Sequence, residues 1–77
     1  MELKNAKILL TGGTTGIGYE TAKLLRSQGA NVVICGRNEQ KVTSVAAELD
    51  IYGVKADVTF EADIENMFAF AIEHLGG

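Results

Sequence analysis

The sequence predicts an α/β fold, a parallel sheet flanked by helices, and three observations carry that prediction. Short apolar runs rich in branched residues alternate with longer segments of helical periodicity. Their order along the chain is βαβαβα, and strands alternating with helices build parallel sheets. The strand segments are apolar at successive positions rather than at every second one, as strands covered on both faces are.

The first strand is read from Ala6-Lys7-Ile8-Leu9-Leu10-Thr11, which ends in glycines. A helix over residues 18–28 follows, with Thr21, Leu24 and Leu25 on one face, Ile17 a turn ahead, and Gly29 as its stop. Val32-Val33-Ile34-Cys35 is the second strand. Asn38 is placed to cap a second helix, in which Val42, Val45, Ala46 and Leu49 repeat at helical spacing. Residues 51–56 give a third strand, weakened by Gly53. Thr59 is the expected N-cap of the last helix, with Glu61 and Asp63 near its positive end. Its core face is expected to be Ile64, Met67, Phe68, Ala71, Ile72 and Leu75.

Right-handed crossovers place the first two helices on one face of a sheet ordered 3-2-1, and the third helix on the other. In a doubly wound sheet a fourth strand then returns beside the first. The sequence reaches Gly76-Gly77 where that return is due, which would leave Ile8 to Leu10 with an unpaired edge. The expectation is that residues 1–77 are the N-terminal part of a single domain, a fragment or a truncated product.

Composition narrows the function. At 47% hydrophobic residues the chain is expected to pack, and no apolar run approaches the roughly 20 residues of a membrane span. The 7 basic and 10 acidic residues are scattered, so no basic stripe points to nucleic acid. No Lys or Arg follows residue 58, which argues against an anionic membrane surface there. Cys35 is alone, which excludes a disulfide framework and a cysteine metal cluster. The start, Met1-Glu2-Leu3-Lys4-Asn5, has neither a signal-peptide core nor transit-peptide character, so a cytoplasmic location is expected.

The chemistry is concentrated in the turn Thr11-Gly12-Gly13-Thr14-Thr15-Gly16-Ile17-Gly18. Gly12 lets the backbone leave the strand in a tight turn, Gly16 removes a side chain where a pyrophosphate approaches, and Gly18 allows close helix–sheet packing. Free N–H groups at the helix start, together with the helix dipole, favour negative charge there. Thr14 and Thr15 offer hydroxyl donors. The competing reading is a turn that merely tightens a corner; its place inside a βαβ unit favours dinucleotide binding of the Rossmann type. A P-loop is excluded because no Lys-Ser or Lys-Thr pair follows the glycines.

In NAD-binding folds an acid about 20 positions past the glycines accepts hydrogen bonds from the ribose hydroxyls. Here that place reads Cys35-Gly36-Arg37-Asn38, with no carboxylate before Glu39. Arg37 offers a planar, permanently charged fork suited to a phosphate, so NADP(H) is expected over NAD(H). The competing reading makes Arg37 a surface residue opening the second helix.

The spacing T-G-x-x-x-G-I-G at Gly12, Gly16 and Gly18 resembles the main branch of the short-chain dehydrogenase/reductase family, and the likeness runs from about Leu3 to Gly77. Asp57-Val58 resembles the Asp-Val pair after the family's third strand, and Gly76-Gly77 its lead-in to the fourth. The resemblance implies that Gly36 stands where NAD members carry their acid and Arg37 where NADP members carry a base. It implies that Asp57 accepts from the adenine amino group while Val58 packs near the ring, and that Ile17 belongs to the cofactor motif. It further implies an oxidoreductase that moves hydride between nicotinamide and a carbonyl or alcohol, commonly as a homo-oligomer. The family's catalytic asparagine, serine, tyrosine and lysine would fall beyond residue 77, so no catalytic residue is assigned here. An NADP(H)-binding sensor or regulatory subunit without catalysis is the alternative.

The remaining candidates read as structure. Tyr19 with Lys23 mimics a Tyr-x-x-x-Lys spacing but falls on the first helix. Tyr52 and Lys55 point to opposite faces of a strand. Cys35 reads as a small buried hydrophobe, and His74 as a helix-end residue without a base partner. Met67, Phe68 and Phe70 read as core or sheet-packing surface.

Overall fold

Every residue of the middle strand, β2 (Asn31–Gly36), between its two ends is closed to water, and the rest of the chain is arranged to cover it. A computed structural model describes residues 4–12, 14 and 16–76. The elements run β1 (Lys7–Thr11), α1 (Gly16–Ser27), β2, α2 (Glu39–Leu49), β3 (Tyr52–Lys55) and α3 (Glu61–Leu75). The strands form one parallel sheet in the order β1-β2-β3, which is the expected 3-2-1 order viewed from the other edge. Leu10 pairs with Ile34 and Thr11 with Cys35; Cys35 pairs in turn with Val54 and Gly36 with Lys55.

Alternation along β2 divides the interior in two. Val32 and Ile34 join Ala22 of α1 and Val42 and Val45 of α2 in one cluster, with Ile8, Leu10 and Leu25 packed against it. Cys35 faces the other way and packs with Ala56 and Met67 of α3, together with Leu9, Val54 and Ile64. The first two helices therefore share one face and α3 covers the other, as the crossover rule requires.

The helices differ from their sequence reading in instructive ways. Helix α1 begins at Gly16 rather than at residue 18, because Gly16 is the residue that turns the chain, with φ +55°. Its inner face holds Ala22 and Leu25, so a small side chain, Ala22, meets the sheet and is fully buried. Ile17 and Leu24, expected on that face, lie outward at 87% and 60% exposure. Helix α2 has the expected cap: Asn38 Oδ1 accepts from the Lys41 amide at 3.1 Å. Helix α3 is preceded by Phe60 in extended backbone with no side-chain cap, so Thr59 is not its N-cap. On α3, Met67 and Ala71 are buried and Ile64 is half-buried, whereas Phe68 and Ile72 lie outward.

Gly53 does not break β3. A Cβ built there would stand 2.6 Å from Val42 Cγ1 and 3.1 Å from the Val42 carbonyl oxygen, so the missing side chain is what lets α2 lie against the strand. Val42 also crowds the neighbouring strand, 3.2 Å from a Cβ built on Gly36. Polar ties close the surface. Arg26 pairs with Asp50 at 3.4 Å, and Tyr19 of α1 donates its hydroxyl to Glu48 of α2. We predict that Gly53→Ala, by forcing α2 outward, lowers stability by about 1–3 kcal/mol. A urea midpoint equal to the parent's would show that this contact does not set the helix position.

Candidate functional site

The ends of the three strands come level, and the chain leaves each of them at the same edge of the sheet. Two backbone bonds hold the departures together: the Gly12 amide donates to the Cys35 carbonyl at 3.0 Å, and the Ala56 amide to the Gly36 carbonyl at 2.9 Å. Between them opens a cleft of about 540 Å³ lined by residues of all three strand ends. Cleft and α1 N-terminus share an edge because a parallel sheet sends every strand, and every following helix start, the same way.

Gly12 and Gly16 have φ of +71° and +55°, a region that side-chain-bearing residues rarely enter. A Cβ built on either meets no atom within 4 Å among the described residues, so protein packing does not demand these glycines. They contrast with Gly53, whose neighbours leave no room. The backbone at Gly12 and Gly16 is bare towards open space, the arrangement a closely approaching anion needs.

The structure brings Gly12, Thr14, Arg37, Asp57 and Val58 to one cleft. Arg37 is exposed, and Gly36 beside it offers no side chain. Thr14 closes over Gly36, its Cγ2 3.4 Å and its Oγ1 3.7 Å from the Cβ position. Gly16 and Ile17 instead border a neighbouring depression along the outer face of α1, with Tyr19, Glu20, Thr21 and Leu24. Gly18 is half-buried within α1, and Thr15 lies outside the described residues.

Asp57 is more tightly fixed than its place in a loop suggests. Its Oδ1 accepts from the Thr59 hydroxyl at 2.7 Å and the Thr59 amide at 3.0 Å. Its own amide donates to Asp63 Oδ2 at 2.8 Å, and its carbonyl accepts from the Phe60 amide at 2.9 Å. The Thr59 hydroxyl and amide hold the Asp57 carboxyl below the usual carboxylate range; desolvation opposes this, and the Arg37 charge reinforces it. The carboxylate is therefore ionised at neutral pH. Thr59 was missed as a cleft residue because a threonine two residues after an aspartate fits both a helix cap and an aspartate-centred turn.

The other candidates bring no reactive group to the cleft. Cys35 forms part of the cleft wall, but burial pushes its thiol up, which keeps it protonated and unreactive. His74 stacks on Phe70 at 4.1 Å between centroids, tilts against Tyr52 at 4.9 Å, and donates from Nδ1 to the Phe70 carbonyl at 3.0 Å. Tyr19, bonded to Glu48, has its phenol raised by that bond, so it is no proton donor poised for neutral pH. Among the described residues no cluster of His, Cys, Asp and Glu could hold a metal, and no helix is long and apolar enough to cross a membrane.

Comparison with known proteins agrees with this geometry. The profile of the short chain dehydrogenase family matches residues 6–77. An uncharacterized oxidoreductase of Staphylococcus epidermidis is 39% identical over 77 residues, which cover 97% of this chain and 34% of that protein. The human mitochondrial dehydrogenase/reductase SDR family member 2 is 38% identical over 80 residues, covering 97% and 29%. The crystal structure of a glucose/ribitol dehydrogenase-type short-chain dehydrogenase/reductase from Brucella melitensis superposes with a TM-score of 0.92 at 34% identity, covering all of this chain and 34% of that one. The chain thus spans about a third of the length of these relatives. A bare glycine turn, a cleft at the strand ends and a family match over nearly every residue converge: the chain belongs to the short-chain dehydrogenase family of oxidoreductases.

Proposed function

We propose that this segment binds NADP(H), and that residues 1–77 are the N-terminal part of one dinucleotide-binding domain. In this reading the protein transfers hydride between the nicotinamide and a small carbonyl or alcohol substrate. The observation that carries the choice of cofactor is Arg37 on the lip of the cleft, beside a Gly36 that leaves no carboxylate to meet a ribose hydroxyl. A carboxylate at that lip would repel a 2′-phosphate, whereas a guanidinium makes charge-assisted bonds to it.

The residues present fit the two ends of such a cofactor. Gly12 and Gly16 offer bare backbone to a pyrophosphate, and the start of α1 favours its charge. Thr14, over Gly36, places a hydroxyl near the Arg37 end. Asp57 is an ionised acceptor for the adenine amino group, and half-exposed Val58 offers apolar surface to the ring. The cofactor supplies the hydride chemistry when bound. This chain's part is to seat and orient the adenosine and phosphate portions, and no residue among 1–77 is assigned a role in proton transfer.

Two outcomes are expected of the full-length protein. In titrations followed by dihydronicotinamide fluorescence, NADPH should bind at least about tenfold tighter than NADH, and Arg37→Asp should abolish or reverse that preference. An unchanged ratio in the variant overturns the cofactor assignment; no binding of either cofactor to the parent overturns the reading as a whole. Gly16→Val should weaken both cofactors by on the order of tenfold or more, because a side chain would stand where the pyrophosphate approaches. Undiminished affinity in a folded Gly16→Val protein would place the phosphates elsewhere.

A further inference from the structure

Asp57 has four polar groups, and three are already engaged by the segment that follows it. Its amide is held by Asp63, its carbonyl by Phe60, and Oδ1 by two donors from Thr59. Oδ2 is left without a partner among the described residues, on a side chain that lines the cleft. Thr59 lines the same cleft, and so does Val58, half-exposed between them.

We propose that Thr59 is the positioning residue that gives this cleft its choice of base: by saturating Oδ1 of Asp57 it presents Oδ2 to the 6-amino group of an adenine and against the 6-oxo group of a hypoxanthine. The inference rests on the adenosine placement proposed above and adds what enforces it. A carboxylate can only accept, so it attracts an amino hydrogen and repels a carbonyl oxygen at the same position. The size of that discrimination depends on a carboxylate held in one orientation. Free to rotate about its Cα–Cβ bond, Asp57 could turn towards water or towards Arg37, which shares the cleft and already acts on its charge. The Thr59 hydroxyl, at 2.7 Å the shorter of the two bonds, opposes that rotation, and the Asp63 contact fixes the backbone from which the side chain springs.

The experiment compares NADPH with its 6-oxo analogue, nicotinamide hypoxanthine dinucleotide phosphate in reduced form, on the full-length protein. Parent protein should prefer the amino form, and Thr59→Val should cut that preference about threefold to tenfold, the range of one ordinary hydrogen bond, since the Thr59 amide still holds Oδ1. Thr59→Ser, which keeps the hydroxyl, should restore the parent ratio. A Thr59→Val protein that binds NADPH with the parent's base ratio overturns this inference alone. Equal affinity of the parent for both bases also overturns it, and a parent that binds neither sinks the underlying reading with it.

Discussion

Strand β2 has no wet face. Val32, Val33, Ile34 and Cys35 are each within 1% of complete burial, so each side of the sheet must be roofed by a helix. That requirement, with the right-handed crossover, sends α1 and α2 to one side and α3 to the other. It also sends all three strand ends to one edge, where the chain must leave the sheet through loops. The cleft is the space between those loops, and it follows from the burial of the strand rather than from any residue that lines it.

Much of this was legible in the residues because the signals were local. Branched apolar runs mark strands, Asn38 marks a cap, and the glycines between strand and helix mark a corner of positive φ. The faces of α1 and α3 were less legible, since sequence periodicity finds an apolar stripe but not the partner that stripe meets. In α1 Ala22 and Leu25 pack into the core, and Ile17 and Leu24, equally apolar, are turned away from it. Gly53 misled for a related reason: in isolation it weakens a strand, yet here it is where a neighbouring helix comes closest.

The site divides in the same way. Gly12, Thr14, Arg37, Asp57 and Val58 meet at one cleft although they come from three separate loops, because parallel topology gathers the loops that motif spacing names one by one. Thr59 escaped because its hydroxyl had two local uses, and only three-dimensional contact shows that it serves Asp57. The cleft carries an exposed guanidinium at one place and a bonded carboxylate at another.

Val42 stands over two strands at once, its methyl groups set against the glycines at 36 and 53. The helix seat and the floor under the arginine are thus one piece of carpentry. A side chain planted at position 36 would bring its Cβ to 3.2 Å from Val42 Cγ2 and so press on the seat of α2. Any redesign that plants a side chain there has to let that valine give way in the same step, or accept a looser sheet.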